Sequence, residues 1–391
     1  EIYGGQQVLD FGRNTIQDRE LEETKRAFAN IDSVFMNAPQ LILNPIYDSI
    51  GFNRIPDEVL RHLVIARICQ PMSKLATVDY LKSHFNEDTS LDRIYYYMDK
   101  LYNTQQETVQ QISVEHTRRI LGGSVGIVFY DCTTLYFESF IRDKLCEPGF
   151  SKDGKTKENQ IVIGLLVSAG GYPLAYSVFC GSQYEGFTII PVVDDFVKRF
   201  HLEDVVVVAD SGLMTKKNVL LLQMGKYKYI LGARIRNEAK DIREWILSQA
   251  KEENTYLEYE KTHTIPSPEP DDPKATKEIK ERLIITYSKD RAKNDADNRK
   301  RGVERLRLSF GSGTIKKESI NRRGYNKFLE ITNDIDITIN EDKIKDDEKW
   351  DGWKGYITNT DIEAKEVVSQ YHGIWVVERA FRVTKGNLEA R

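Results

Sequence analysis

The sequence predicts a mixed α/β protein with a helical N-terminal region, and three observations carry that expectation. Residues 17–120 place apolar side chains at three- and four-residue steps, the period of a helix. Two continuous apolar runs, GIVFYD ending at Asp131 and VVVVAD ending at Asp210, have the texture of strands buried on both faces. Between them, IVIGLLVSAGGYPLAYSVF reads as a hairpin that turns at Gly170-Gly171.

In chain order, the charged periodic stretch Asp18–Ala29 comes first, followed by PDEVLRHLVIARIC, whose first turn holds Pro, Asp and Glu as helix N-termini prefer. SKLATVDYLKSHF, LDRIYYYMDKLYN and QETVQQISVEHTRRIL continue the pattern, so residues 1–120 read as a helical bundle or, more sharply, a DNA-binding region. Tyr95, Tyr96 and Tyr97 read as helix-packing residues. After GIVFYD, TTLYFESF is a second expected strand and CEPGFSKDGKTKENQ a loop. A helix over Thr188–Phe200, the VVVVAD strand, a helix near Lys216–Met224 and a strand at Tyr229–Ala233 complete the first part of the core, residues 121–234. Residues 235–355 change character, from the loop HTIPSPEPDDPKATKE to ERLIITYSKD and the alternating YNKFLEITNDIDITIN. In the remainder, 356–391, the stretch 361–391 reads as one long helix. Because the chain begins at Glu1 rather than Met and ends at Arg391 within that helix, a fragment is expected.

Composition narrows the function classes. A hydrophobic fraction of 40%, 30% charged residues, 11 Pro and 25 Gly exclude collagen-like, low-complexity and globally disordered chains. No apolar run approaches the roughly 18 residues of a membrane span, mean hydropathy is −0.49, and the first thirty residues lack a signal-peptide core. A soluble cytoplasmic protein is expected. Four dispersed cysteines form no CxxC pair and read as reduced thiols. The net charge of −4 favours no partner by itself. It conceals a basic segment, however: Arg282–Lys327 carries 14 Lys/Arg against 5 Asp/Glu, a net +9. That segment suits a surface gripping DNA, or, in part, a solvated helix.

Three carboxylates stand out by position. Asp131 and Asp210 end apolar strands, where sites form in open α/β sheets and where an unpaired carboxylate is costly. Glu378 lies on the terminal helix between apolar neighbours. Tyr371, Ile374, Glu378 and Lys385 follow one another at steps of 3, 4 and 7, along one helix face. Acids facing one another suit Mg²⁺, and two such ions can assist attack and departure at a phosphodiester. Lys385 and Tyr371 would then contact phosphate. The six histidines show no zinc-ligand spacing. A plainer alternative pairs Glu378 with Arg382 at i+4.

FYDCTTLYFE, VVVVADSG and YHGIWVVERAFRVTKG together resemble the three catalytic blocks of bacterial insertion-sequence DDE transposases, in the insertion-sequence-four branch with a tyrosine–arginine–glutamate–lysine signature. Its pattern Y-x2-R-x3-E-x6-K is met by Tyr371, Glu378 and Lys385, whereas Ile374 stands at the arginine position. LVIARICQPMSKLATVDYL, GFSKDGK, GLLVSAGGYPLAYSVFCG and WDGWKGYITNT are similar too, so the likeness runs from about Arg61 to the end. The resemblance implies a ribonuclease H-like catalytic core, completed by residues 356–391, with a β-rich insertion domain at 235–355 held within the 168 residues from Asp210 to Glu378. It implies cut-and-paste DNA transposition: hydrolysis at the transposon end, then attack of the freed 3′-hydroxyl on target DNA. Asp131, Asp210 and Glu378 would bind two Mg²⁺ ions, with Mn²⁺ accepted. Double-stranded DNA, as inverted repeats and target, and a second copy of the chain are the implied partners, and association with the bacterial nucleoid is implied with them. Trp350 and Trp353 are candidates for stacking on a flipped base or for packing the insertion. Arg382, Arg322, Arg323 and Lys327 are candidate phosphate contacts. A non-catalytic DNA-binding relic and a stand-alone nuclease are the competing readings.

Overall fold

Helices occupy the first third of the chain, as its periodicity predicts. They are α1 (Ile16–Ala29), α2 (Ala38–Ile50), α3 (Glu58–Cys69), α4 (Lys74–Tyr80), α5 (Leu91–Lys100) and α6 (Gln106–Ile120). Three begin at side-chain caps: Asp57 accepts from the Val59 N–H, Ser73 from Ala76 and Ser90 from Arg93, each satisfying an amide that the helix leaves orphaned. The computed structural model describes the chain apart from residues 1–15, 30–37, 139–142, 152, 153, 156, 203, 214, 267–275, 312–323, 333–335 and 391. It divides into two compact units within α6, the first of residues 1–109 with 387–389 and the second of residues 110–386 with 390–391. The first unit packs on Ile65, Ala66, Tyr80, Leu81 and Phe85. Of the tyrosine triplet only Tyr97 packs, 2% exposed and donating to Gln105 Oε1 at 2.6 Å; Tyr95 and Tyr96 are 50% and 72% exposed, because three consecutive helical positions cannot share one face.

The second unit is built on one large sheet. Its strands are β1 (Ile127–Phe137), the short β2 (Glu147–Pro148), β3 (Asn159–Ser168), β4 (Pro173–Cys180), β5 (Val206–Ala209), β6 (Lys228–Ala233), β7 (Tyr256–Pro266), β8 (Thr276–Tyr287) and, after a separate hairpin of β9 (Leu329–Thr332) and β10 (Asp336–Ile339), β11 (Trp353–Thr358). The order across the sheet is β2-β3-β1-β5-β6-β11-β8-β7, with β4 also on β3. β1, β5 and β6 run parallel at the centre, and the other pairs are antiparallel. The predicted hairpin is present as β3 and β4, and its Gly171 takes φ +83°, a conformation that glycine adopts without a Cβ penalty.

Helices cover both faces. On one, α7 (Ile189–Phe200), α8 (Lys216–Met224) and α9 (Lys240–Ser248) bury Val192, Phe196, Leu222 and Ile246 against Val128, Tyr130, Val207 and Leu231. On the other, α12 (Ala364–His372) and α13 (Trp375–Arg382), which come after α10 (Lys289–Gly311) and α11 (Glu341–Glu348), bury Val367, Tyr371, Val377 and Phe381 against Phe129, Val208, Ile230 and Tyr356. Fully burying one such side chain contributes about 1.5–3 kcal/mol, so both faces are committed to core.

Two expectations are corrected. GIVFYD and TTLYFESF form one strand, because the β-branched Thr133 and Thr134 continue the ladder on β3 without interruption from Val128↔Ser168 to Phe137↔Asn159. Asp131 is therefore mid-strand. The terminal helix is two helices: around Gly373 the bonds tighten to i→i+3, with Ile374 N–H to Tyr371 C=O at 3.1 Å and Val376 N–H to Gly373 C=O at 3.0 Å. A Cβ at Gly373 would lie 2.6 Å from Phe129 Cζ, so glycine lets the chain approach the sheet at this point. Residues 235–355, expected as a β-rich insertion, hold β7, β8 and β11 of the central sheet, the separate β9–β10 hairpin and the helices α9, α10 and α11.

Candidate active site

The centre of the site is the place where β1 and β5 separate. Their parallel pairing ends at Tyr130↔Ala209, so Asp131 and Asp210 are the next residues on the two strands. Beyond them β1 runs on along β3, while the chain after Asp210 turns off into a 3₁₀ turn, Ser211–Leu213. Parting strands open a crevice at their carboxyl ends. Alternation sets the face. Phe129, Val208 and Ile230 belong to the core under α12 and α13, so Asp131, Asp210 and Gly232 face those helices too.

Tyr371 of α12 reaches into this crevice and donates to Asp210 Oδ1 at 2.7 Å. Space for it exists because residue 232 is glycine: a Cβ there would lie 2.6 Å from the Tyr371 hydroxyl and 3.0 Å from the Ser211 nitrogen. Asp210 Oδ2 accepts the Gly212 N–H at 3.3 Å. The turn itself is clamped by Arg234, which donates from Nε to Ser211 C=O at 3.0 Å and from a terminal nitrogen to Gly212 C=O at 3.1 Å. Burial pushes the Asp210 carboxyl up, but the Tyr371 hydroxyl, the Ser211 and Gly212 amides and the Lys354 ammonium outweigh it and hold it below the usual carboxylate range. The same burial, with Asp210 beside it, pushes the Tyr371 phenol well up, so it stays a donor. Replacing Gly232 with Ala is expected to expel the Tyr371 hydroxyl and lower stability by about 1–3 kcal/mol, read as a drop in the thermal midpoint; an unchanged midpoint would remove this account of the glycine.

Asp131 is half-buried, and its Oδ1 accepts the Cys132 N–H at 2.8 Å. Glu378 is exposed on α13, a helix that packs on β1 and β3. No ion pair with Arg382, which is also exposed, is found among the described residues. All three groups are hard oxygen donors, the chemistry that Mg²⁺ takes. The two aspartates sit on neighbouring strands and face one side, a placement that fits one ion. Glu378 does not close the set: among the described residues no three His, Cys, Asp or Glu side chains are drawn together tightly enough to hold a metal.

Residues 128–390 match the transposase DDE domain. The chain belongs to that family. No curated protein matches it. Among solved structures, the chain is similar to the piggyBac transposase synaptic complex with hairpin DNA at 12% identity and a TM-score of 0.40, over 82% of this chain and 57% of that one. It is also similar to the Mos1 transposase paired-end complex with left transposon end, at 9% identity and a TM-score of 0.20, over 56% and 68%. This transposase-family chain thus spans little more than half the length of the piggyBac protein.

Other residues singled out in the sequence fall into four groups. Lys385 lines an open cleft of about 600 Å³ with Thr134, Tyr136, Lys155 and Glu158, along the stretch of β1 beyond Asp131. Trp353 is 4% exposed and meets Tyr287 edge-on at 5.4 Å, and Trp350 packs beside it, so their places are those of core residues; Trp353 offers no free face to a base. Lys327 is paired with Asp347, which also takes Arg236. Arg322 and Arg323 lie outside the described residues. Lys354, Arg234, Arg291 and Gly232 are absent from the sequence-based candidates. Lys354 carries a legible signal in the sequence, a lone cation inside the apolar WKGYIT.

Proposed function

We propose that this transposase-family chain is an active DDE transposase of the insertion-sequence-four branch, performing cut-and-paste transposition. The observation that carries the reading is the placement of Asp131 and Asp210 side by side in a strand-end crevice, beneath the helix pair that bears Glu378. A central β1-β5-β6 parallel set flanked by the β3–β4 hairpin supports a ribonuclease H-like core, and the spacing of Tyr371, Glu378 and Lys385 supports the branch. Divalent ions held by Asp131, Asp210 and Glu378 would polarise the scissile phosphodiester and lower the pKa of the attacking water or 3′-hydroxyl.

The chain's own groups do the positioning. Tyr371 and Arg234 hold the Asp210 carboxylate and its turn in one geometry, so orientation is set before substrate arrives. Lys385, beside the far part of β1, would take a phosphate further along the same strand. Double-stranded transposon ends and target DNA are the proposed partners, gripped in part by the basic 282–327 stretch, and a homodimer would bridge two ends. α10 takes up much of that stretch.

Nicking of supercoiled plasmid in Mg²⁺ or Mn²⁺, followed by joining of a precut end to the plasmid, tests the proposal. Metal-dependent nicking with joining is expected; nicking without joining would make the protein a nuclease. A second reading, a DNA-binding relic, draws on the separation of Glu378 from the aspartates, and DNA binding without metal-dependent cleavage would select it.

A further inference from the structure

Lys354 is the one side chain on β11 whose chemistry does not suit its place. Residues 353 and 355–358 of the strand are buried, and Lys354 is half-buried among them. By alternation it shares the Tyr356 face, the face of Asp210 and Tyr371. Its ammonium lies over the Tyr371 ring, 5.1 Å from the centroid, an attraction worth about 0.5–2 kcal/mol. It makes no ion pair with any described residue. Asp210 acts on it through charge but without an ion pair, so a cation half-withdrawn from water is left with capacity for a further anion.

A second cation is brought to the same place by the fold. The start of α10 is fastened to the turn before β11: Ser288 N–H donates to Gly352 C=O at 3.1 Å, and Asp295 accepts the Gly352 N–H at 3.1 Å. A Cβ on Gly352 would lie 2.9 Å from Ala292 Cβ, so the two segments touch. This stitching brings Arg291, exposed and only loosely paired with Asp295 at 3.8 Å, near enough for its charge to act on both Lys354 and Tyr371. The fastening is reinforced from below by Arg299, which grips Asp351 with two bonds of 2.6 Å.

Building on the phosphodiester-cleaving reading, we infer that Lys354, seconded by Arg291, is a phosphate-binding subsite beside Asp210, holding a DNA backbone oxyanion next to the one that reacts. Burial and the Arg291 charge lower the Lys354 pKa while Asp210 raises it, the mark of a cation kept from full solvation between like and unlike charges. The subsite also accounts for a gap in the signature. Ile374, at the expected arginine position, is a partly buried core residue. A cation is instead supplied to this face from the sheet, over the signature tyrosine.

The test is binding of a labelled duplex of arbitrary sequence, in EDTA, across about 50–200 mM NaCl, with plasmid nicking measured beside it. Each phosphate contact contributes about 0.9 to the slope of log affinity against log salt. Lys354→Met, which keeps the buried stem, is expected to flatten the slope by about 0.9 and reduce nicking by at least about tenfold, while Lys354→Arg restores the slope. Arg291→Gln, an exposed change that does not threaten folding, is expected to flatten it similarly. A Lys354→Met protein with the parent's slope would overturn the inference and leave the functional reading standing. A flattened slope that Arg does not restore would make Lys354 structural and overturn it as well. A parent that binds duplex but never nicks would remove the catalytic reading, and the slopes would still decide Lys354. A parent that binds no duplex would overturn both.

Discussion

Asp210→Asn is expected to lower metal-dependent plasmid nicking by on the order of 10³-fold, several kcal/mol at 1.36 kcal/mol per factor of ten, with duplex binding retained. The substitution is chosen for what it keeps. An amide oxygen at this position still accepts the Tyr371 hydroxyl, now at 2.7 Å, and the Gly212 N–H. The crevice should hold its shape, and the thermal midpoint should move little. What disappears is a unit of negative charge in a place where other polar groups hold the carboxylate ionised, and with it the attraction for a cation. Nicking within a few-fold of the parent would move the catalytic centre away from the parting of β1 and β5.

Asp351→Ala is expected to destabilise the second unit, toward the lower end of the about 3–5 kcal/mol that follows removal of one partner of a buried ion pair. Arg299 and Asp351 have side chains only 8% and 12% exposed and are joined by two bonds of 2.6 Å. With Asp351 gone, the guanidinium keeps Asp347 at 3.5 Å and Glu348 at 3.7 Å, which tempers the loss. At roughly 2–4 °C per kcal/mol for a unit of this size, the thermal midpoint should fall by about 6–12 °C. The double change Arg299→Met with Asp351→Leu should recover much of it, since no charge is then left unpaired. A single variant as stable as the parent would show that the 351–352 turn is held by its backbone bonds alone.

The parts of this fold that sequence made legible are those decided locally. Period 3.6 marks α1 and α3 to α6, and the apolar runs at 127–131 and 205–210 mark the parallel strands, because a strand buried on both faces has no room for polar residues. Asp131 and Asp210 were visible for the same reason, as the first acids after such runs. What remained hidden depends on partners distant in the chain. The joining of β7, β8 and β11 to the central sheet rests on pairings such as Tyr356↔Gly232 and Tyr356↔Ile284, which no local period reports. The break at Gly373 comes from its approach to Phe129, 244 residues earlier. Arg291 comes within reach of the Lys354 charge because α10 is fastened to Gly352. Tyr371 was found through its spacing, yet its partner, Asp210, could not be read from that spacing.

The central claim is that Asp131, Asp210 and Glu378 serve one divalent-ion site, and Mn²⁺ binding in the presence of duplex DNA tests it most directly. Titrating the parent, Asp131→Asn, Asp210→Asn and Glu378→Gln while following the free-ion electron-spin resonance signal compares the three acids on equal terms. The account predicts that the parent binds and that each variant loses at least about tenfold in affinity, Glu378→Gln included, as α13 brings its carboxylate to the aspartates on DNA. Parent-like Mn²⁺ affinity in Glu378→Gln, beside weakened binding in the two aspartate variants, would contradict it.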